Sequence, residues 1–394
     1  MKYLIWMVET AGFAKHEIPR LLELFGSAKG VFQASQGELL EWVALKPEQR
    51  AAVESKDLTQ AEAILANCKR QRIGVLSILD DAYPQRLKNI YDPPAVLYVR
   101  GTLPDFNRLP AIALVGQRKA TPYGKMAADQ LGYHLSKRGV IVVSGMAEGT
   151  DGAAHEGALK GSTPTVAVFG TAIDQCYPTF HGGLLREILR HGAAISEYPP
   201  GKRTYASCFP QRNRIISGLC LGTVVVEARK KSGSLITATY ALDQGRDVFS
   251  VPANYDAVSS EGCNELIKSG AKLIRSAEDI LEEYRGMYCF EPQEKPAKRV
   301  NSARKSRAEA QEAPVSPPKT LEQVFNPPAR PEPAAKQSSG DDALLDAIDG
   351  ATHIDVILSK TGLQMGQALA KLTLLELMGK VRQLPGKQFE KTGL

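Results

Sequence analysis

The chain has 394 residues, of which 43% are hydrophobic, and 49 lysines and arginines against 43 aspartates and glutamates give it a formal net charge of +6. This composition excludes wholesale disorder, and the length predicts two or three domains. Six scattered cysteines without a CxxC pair argue against a disulfide frame or a metal site, and no stretch approaches the ~20 apolar residues that span a bilayer. We therefore expect a cytoplasmic protein with no metal and no membrane contact.

Residues 1–80 have the spacing of apolar side chains that predicts helices, and they carry no strand signal. Apolar residues recur every three or four positions, and Gly26 and Pro47 separate the segments. The pattern predicts a small N-terminal helical domain. Residues 24–28 are similar to the turn of a helix-hairpin-helix element, which either grips DNA backbone or serves as a packing module.

The next domain, which we place at residues 81–288, contains short β-branched runs that alternate with helical segments. The predicted strands are 111–115, 140–143, 165–169, 193–196, 223–227 and 247–251. The predicted helices between them include 124–138, 153–160 and 184–190. Nearly continuous apolar strands with helices between them predict an α/β fold, a doubly wound parallel sheet covered on both faces. The proline-bearing segment 81–108 is interpreted as an extended lead-in.

Residues 289–340 are predicted to be a flexible linker, because nine of the 24 prolines fall between 291 and 340. The remaining segment, 341–394, contains three predicted helices at 341–349, 353–361 and 364–378, followed by a hairpin at 380–391. Three helices and a β-wing predict a winged-helix domain.

Basic and small residues follow the predicted strands of the large domain, at the edge where parallel sheets bind ligands. They are Arg118 and Lys119, the pair Ser144-Gly145, the arginines Arg212 and Arg214, and the run Arg229-Lys230-Lys231-Ser232-Gly233-Ser234. Backbone amides at a helix start attract anions, and arginine matches phosphate geometry. One such loop alone favours an ordinary capped turn, but four on one edge predict an anion-binding floor.

Signals for catalysis are weak. The chain has no GxxxxGK[ST] motif, and its first strand-to-helix turn lacks GxGxxG, which argues against ATP hydrolysis and a conventional dinucleotide cofactor. Asp151 and His155 form either an acid/base pair or, in the interpretation we adopt, a helix cap and a local hydrogen bond. Glu227 is interpreted as a partner that neutralises basic residues. We therefore expect no catalytic residue and no cofactor.

Five motifs follow one another along residues 110–275. They are Val115-Gly116-x-Arg118-x-x-Thr121-x-Tyr123-Gly124, Ser144-Gly145-x-Ala147-x-Gly149-x-Asp151-x-x-Ala154-His155, Ser196-Glu197-x-Pro199-Pro200-Gly201, Phe209-Pro210-x-Arg212-Asn213-Arg214, and Ser232-Gly233-Ser234 with Gly245-Arg246-Asp247. In this order they closely resemble the DprA family of DNA-processing proteins, also called Smf. The flanking modules fit the same family.

The resemblance implies an extended Rossmann-like domain that binds single-stranded DNA without catalysis. It also implies a homodimer, with its surface near residues 266–274, that loads the RecA recombinase onto incoming strands during natural transformation. The phosphate-binding positions implied are Arg118, Ser144, Gly145, Arg212, Arg214, Ser232, Gly233 and Ser234; Lys230 and Lys231 are added from their position and charge. The alternative is a nucleotide-cleaving enzyme similar to phosphoribohydrolases, which uses Glu227 and Arg118 in the same cleft.

Two further features remain open at this point. Tyr123, Tyr177 and Phe209 lie near the predicted DNA-binding loops, either as base-stacking platforms or as core residues. Segment 341–394 has six lysines and arginines against seven aspartates and glutamates, a net charge of −1. A reader of duplex DNA needs phosphate-neutralising charge. We therefore expect a protein-contact or accessory role for the winged helix rather than that of a transcription regulator.

Overall fold

The structure is a computed structural model that describes residues 1–290, together with residues 345–392 apart from 351, 362, 364–367, 369–370, 373–374, 377–379 and 385–387. The chain divides into two compact units, Met1–Ser302 and Ala303–Leu394. The predicted linker lies outside the described residues from position 291 onwards. Within the described ranges, no helix is long and apolar enough to cross a membrane.

The first unit begins with six helices. They are α1 (Lys2–Glu9), α2 (Glu17–Leu24), α3 (Ala28–Gln33), α4 (Gln36–Leu40), α5 (Pro47–Ser55) and α6 (Thr59–Gln71). Helix α1 packs against α3 and α6, and its buried Trp6 lies edge-on to Phe32 with the ring centroids 4.9 Å apart. Ser35 caps α4 in a capping box with Glu38. The apolar side chains of these helices form one continuous core with residues beneath the sheet that follows.

A nine-stranded sheet organises the rest of this unit. Its strands are β1 (Gly74–Ser77), β2 (Val96–Gly101), β3 (Ala111–Val115), β4 (Ile141–Ser144), β5 (Thr165–Phe169), β6 (Ala193–Ser196), β7 (Gly222–Val225), β8 (Asp247–Ser250) and β9 (Lys272–Leu273). The spatial order is β1-β2-β6-β5-β4-β3-β7-β8-β9. Strand β2 is antiparallel to both of its neighbours, whereas the pairs from β6 to β9 are parallel. The strand order reverses between β3 and β7.

Helices cover both faces of the sheet. They are α7 (Gln85–Lys88), α8 (Pro122–Lys137), α9 (Thr150–Lys160), α10 (Gly182–His191), α11 (Cys208–Leu219), α12 (Gly233–Asp243), α13 (Glu261–Lys268) and α14 (Ala277–Leu281), with 3-10 turns at Thr179–His181, Val258–Ser260 and Glu282–Tyr284. Alternate side chains of β3 face opposite sides of the sheet and so belong to two different cores. Ile112 and Leu114 pack with α8, α9 and α14, whereas Ala113 and Val115 join the core under α11 and α12. The predicted doubly wound α/β fold is therefore confirmed.

All six predicted strands are present, with their ends shifted by up to two residues. The sheet also contains β1, β2 and β9, which the sequence did not predict. Strand β2 lies in the segment interpreted as a lead-in, and β1 begins at Gly74, before the residue where we placed the start of the large domain. Strand β2 pairs with β1 on one side and β6 on the other, so this segment is an integral part of the sheet.

The second unit contains a three-stranded antiparallel sheet. Its strands are β10 (Thr352–His353), β11 (Val381–Leu384) and β12 (Gln388–Lys391), in the order β10-β12-β11. A helix at Ile354–Thr361 follows β10. Ile357, Leu372 and Phe389 belong to its buried core. Strands β11 and β12 pair as the hairpin predicted for the wing.

Candidate functional site

A cleft of about 340 Å³ lies at the carboxyl ends of β3 and β7, where the strand order reverses. This is the position at which doubly wound sheets bind ligands. Its walls are formed by residues 115–118 after β3, Ala147 and Asp151 after β4, Ala206, Phe209, Pro210, Arg212, Asn213 and Ile216 around the start of α11, and Ser232, Gly233, Ser234, Ile236 and Thr237 at the start of α12. The structure therefore brings three of the predicted segments together.

The first turn of α12 forms one wall of the cleft. Ser232 caps this helix, because its Oγ accepts a hydrogen bond of 3.4 Å from the backbone N–H of Ser234. The Asn213 side chain donates to the carbonyl of Gly233 over 3.4 Å and links α11 to this turn. A helix start carries about half a positive charge, so this wall attracts anions.

Arg118 is an exposed cation of the cleft. Its guanidinium carbon lies 5.5 Å from the centroid of the Phe209 ring, and that ring centroid lies 5.3 Å from the ring of Tyr177. Within the part of the chain that the structure describes, Arg118 forms no salt bridge. A guanidinium held over an aromatic ring without a carboxylate partner is available to bind an anion.

Arg212 lies beneath the cleft surface and is only 6% exposed. Its Nη1 donates to the carbonyl of Gly145 over 2.7 Å and to the carbonyl of Val168. Burial lowers the pKa of Arg212 to about 10, although the Asp151 carboxylate acts in the opposite direction. Arg212 is therefore still a cation at neutral pH. It contributes positive potential from below while its Nη1 is bound to the protein.

The amides after β4, predicted to bind phosphate, are already bound to a carboxylate. Asp151 Oδ2 accepts from the backbone N–H of Gly145 over 3.1 Å and of Ala147 over 3.3 Å. The hydroxyl of Ser144 is buried and donates to the carbonyl of Leu114 over 2.6 Å. A Cβ on Gly145 would lie 2.4 Å from the Arg212 guanidinium. Ser144 and Gly145 therefore support the cleft from beneath.

Arg214 does not reach the cleft. Because an α-helix turns every 3.6 residues, Arg214 projects from the side of α11 nearly opposite to Arg212. It is 1% exposed, with Nη2 2.7 Å from Glu197 and Nε 2.9 Å from Asp92. Burial on its own would lower the pKa of Arg214, but these two carboxylates raise it above its ordinary value. Lys15 completes the cluster, with its Nζ 2.7 Å from Glu197.

Lys230 and Lys231 are exposed on the loop between β7 and α12 and do not line the cleft. The Nζ of Lys230 lies 3.4 Å from the Glu261 carboxylate. The two lysines thus flank the cleft at its α12 side.

Asp151 and His155, the pair considered for acid/base chemistry, form hydrogen bonds with other groups of the protein. His155 is buried with its Nδ1 2.8 Å from Thr165 Oγ1, and burial lowers the pKa of His155 to about 3, so it is neutral at pH 7. The hydrogen bond of His155 is not the local one expected, because Thr165 belongs to β5. The cap expected of Asp151 is wrong, because Gly149 is the N-cap of α9 and Asp151 binds the preceding loop.

Glu227 is likewise not the partner of basic residues that the sequence suggested. Its carboxylate accepts hydrogen bonds of 2.8 Å from both the backbone N–H and the hydroxyl of Thr121. Thr121 is the N-cap of α8, so Glu227 fixes the start of that helix. The sequence suggested a basic partner because lysines and arginines follow Glu227, but those residues extend into solvent.

Gln117 is a cleft residue that sequence reasoning missed. It is 8% exposed, and its Nε2 has no hydrogen-bond partner among the residues described. A buried donor without a partner costs about 1–3 kcal/mol. A ligand oxygen in the cleft would satisfy this donor. Nothing in the sequence distinguishes Gln117 from an exposed loop glutamine.

Two family models match the chain. The one described as DNA recombination-mediator protein A matches residues 74–285, and the one described as DprA winged helix domain matches residues 327–387. DNA processing protein DprA of Streptococcus pneumoniae is 42% identical over 214 residues, which cover 54% of this chain and 75% of that protein. Protein Smf of Escherichia coli is 34% identical over 306 residues, 77% of this chain and 74% of the relative.

Solved structures agree with these relatives. The X-ray structure of DprA from Streptococcus pneumoniae superposes with a TM-score of 0.60 at 35% identity, over 72% of this chain and 98% of that one. A structure of DNA processing protein A from Helicobacter pylori, described for its single-stranded DNA binding mode, gives a TM-score of 0.50 at 29% identity. It covers 55% of this chain and 97% of that one.

Proposed function

The chain belongs to the DprA family of DNA recombination-mediator proteins, and from this premise we propose that it binds and protects single-stranded DNA in the cleft at the carboxyl ends of β3 and β7. The observation that carries the proposal is the Arg118 guanidinium, which has no carboxylate partner among the described residues and is held over Phe209 beside the positive end of α12. The Helicobacter pylori protein that resembles it is described by its single-stranded DNA binding mode.

The proposed contacts divide into three groups. Phosphate oxygens bind Arg118, the Gly233 amide and the hydroxyls of Ser232 and Ser234 at the α12 start, and the Gln117 amide, which has no partner among the described residues. Lys230 and Lys231 attract the strand from the flank. Arg212 adds positive potential from beneath, while Arg214, Ser144 and Gly145 hold the walls in place. Binding through phosphates tolerates any base sequence.

Aromatic rings extend the site. Tyr177 is 49% exposed and touches Phe209, so these two rings offer a surface on which a base can stack. Tyr123 is 46% exposed, but its hydroxyl donates to the carbonyl of Pro252 over 3.1 Å. We therefore assign base stacking to Tyr177 and Phe209. Tyr123 instead anchors α8 to the segment that carries Pro252.

The proposed function involves binding without catalysis. Glu227 and His155 do not line the cleft, and Asp151, which does, holds the backbone amides of Gly145 and Ala147 through its Oδ2. A general base must instead lie within hydrogen-bond reach of the proton that it removes. Turnover of a free mononucleotide by the purified chain would contradict this assignment and favour the nucleotide-cleaving alternative.

Arg118→Ala is expected to weaken binding of oligo-dT by about 1–3 kcal/mol, roughly five- to 150-fold, the scale of a charge-assisted contact. Fluorescence anisotropy across a salt series measures the loss. The slope of log affinity against log salt should fall by about 0.7, one phosphate contact on a single strand. Duplex DNA and free nucleotide should compete poorly.

The matched control is Arg108→Ala, at the opposite end of β3. Arg108 has an 87% exposed side chain and pairs only with its neighbour Asp105 at 3.4 Å in the described structure. We expect its affinity to stay within about twofold of the unaltered chain. Equal binding by both variants would reject the cleft as the DNA site.

We propose further that the chain forms a homodimer through the edge of the sheet at β9. Strand β9 is at the edge of the sheet, its Leu273 is 43% exposed, and Leu242, which lines the same surface pocket as Lys272, is 61% exposed. An unpaired strand edge with apolar neighbours is a natural surface for a second copy.

Leu273→Glu is expected to convert the dimer to monomer at micromolar concentration, because a carboxylate cannot be buried unpaired in the interface. Light scattering coupled to size exclusion measures the mass. Leu24→Glu, at a leucine that is 41% exposed at the end of α2, is the control that should remain dimeric. A dimer that survives Leu273→Glu would place the interface elsewhere.

Loading of the RecA recombinase is the remaining part of the proposed function. Its support is the family itself, described as a recombination mediator. The test is whether the chain accelerates assembly of RecA on a strand already coated by a single-strand-binding protein. Acceleration that Arg118→Ala weakens would tie loading to the cleft, and equal assembly rates with and without the chain would reject it.

A further inference from the structure

One exposed aromatic residue beside the cleft is stacked with a cation. Tyr205 is 60% exposed, and the guanidinium carbon of Arg203 lies 5.5 Å from the centroid of its ring. Arg203 is exposed too and has no carboxylate partner within the described ranges. A large ring and an unpaired guanidinium, both facing solvent, form a surface that suits a planar, negatively charged ligand.

The pair lies directly at the cleft rim. Both residues belong to the loop 197–207, which joins β6 to α11. The next residue, Ala206, already lines the cleft, and the ring of Phe209 follows one helical turn later. The carbonyl of Tyr205 accepts the backbone N–H of Cys208 over 3.0 Å, so Tyr205 is fixed to the start of α11. This surface therefore adjoins the side of the cleft that Ala206 lines.

The loop that carries the pair is held at several points by the N-terminal helices. Lys15 binds Glu197 at 2.7 Å, Glu9 binds Lys202 at 2.6 Å, and the Asn67 amide donates to the carbonyl of Pro200 over 3.4 Å. Glu9 and Glu197 are 4% and 7% exposed, so these two ion pairs are shielded from water on one side. A preorganised loop loses little entropy when a ligand binds.

We propose that Arg203 and Tyr205 form a second nucleotide subsite, in which a base of single-stranded DNA stacks on the Tyr205 ring while Arg203 contacts the adjoining phosphate. The proposal rests on the proposed function and deepens it, because it adds base recognition outside the phosphate-binding cleft. Stacking on an aromatic ring is possible for every base, so this subsite adds affinity without a sequence preference.

The test separates stacking from phosphate contacts. Affinities are measured by anisotropy for oligo-dT and for an abasic oligonucleotide of the same length, which keeps the phosphates and lacks the bases. Tyr205→Ala is expected to weaken oligo-dT binding about fivefold or more and to leave abasic binding within about twofold. Tyr205→Phe keeps the ring and should bind both ligands like the unaltered chain. Arg118→Ala should weaken both ligands alike.

Each other outcome overturns the proposal. Oligo-dT binding that is unchanged in Tyr205→Ala would show that no base stacks there, and equal losses on both ligands would show that the effect does not act through a base. Failure of the unaltered chain to bind either ligand would reject the proposed function, and the subsite with it. Because Tyr205 is exposed, thermal unfolding of the alanine variant should match the unaltered chain.

Discussion

Arg214→Met is expected to destabilise the protein by about 3–5 kcal/mol, because removing one partner of a buried ion pair leaves the other charge without compensation. Arg214 is 1% exposed and binds Glu197 with Nη2 at 2.7 and 2.9 Å from its two oxygens. In the variant, Glu197 keeps only Lys15 as a cationic partner. Urea unfolding at neutral pH measures the loss.

The same variant should change the response to acid. Burial on its own would raise the pKa of Glu197, but Arg214 and Lys15 bring it below the ordinary glutamate value. A carboxylate whose pKa is lower in the folded than in the unfolded protein stabilises the fold at pH values above its unfolded pKa of about 4.3. That stabilisation is lost as the pH falls through the pKa of the folded state. The difference in free energy of unfolding between the unaltered chain and Arg214→Met should therefore become smaller below about pH 4.

Arg190→Met is the control for that experiment. Arg190 pairs with Glu187 on the surface of α10, where its side chain is 66% exposed. Such a pair contributes about 0–1 kcal/mol. A loss for Arg214→Met no larger than that for Arg190→Met would contradict the role assigned to the buried cluster.

Gly149→Ala is expected to cost about 3 kcal/mol or more, because it combines backbone strain with a steric clash. Gly149 has φ 84° and ψ −119°, a conformation that side chains avoid. A Cβ there would lie 2.2 Å from the carbonyl oxygen of Arg118. The loop after β3 must shift to make room, so oligo-dT affinity should fall together with stability.

Gly182→Ala is the matched control. Gly182 begins α10, has an ordinary φ of −56°, and a Cβ there would meet no atom within 4 Å. Alanine in place of glycine at such a site is neutral or stabilising by up to about 1 kcal/mol. If Gly149→Ala unfolded at the same urea concentration as Gly182→Ala, Gly149 could not lie as close to the Arg118 carbonyl as the structure places it.

The sheet could be predicted because a continuous apolar run indicates a strand that is buried on both faces. The run 165–169 is both the predicted and the observed strand β5. Strand β2 was not predicted, since Pro93, Pro94 and Pro104 suggested irregular structure, yet they stand outside the strand. Strand β9 has only two residues, too few for any periodicity.

The site was predictable in its place but not in the roles of its residues. The sequence motif predicted the same phosphate-binding role for Arg212 and Arg214, because both are cations that precede the same strand. That both belong to α11 was not apparent from the residues alone. The turn of this helix directs Arg212 toward the cleft and Arg214 toward Glu197. Likewise, nothing in the sequence indicates that the Gly145 amide is bound to Asp151.

The shared core of the N-terminal helices and the sheet governs how truncated forms will behave. A fragment that starts at residue 81 lacks β1, the edge strand that pairs with β2, and it lacks Lys15 and Glu9, the partners of Glu197 and Lys202. Such a fragment would bind DNA poorly through damage to its own scaffold. Point exchanges at an exposed cation of these helices, such as Lys29, leave the core and both ion pairs intact, so they, rather than deletions, can assign a DNA contact to the N-terminal helices.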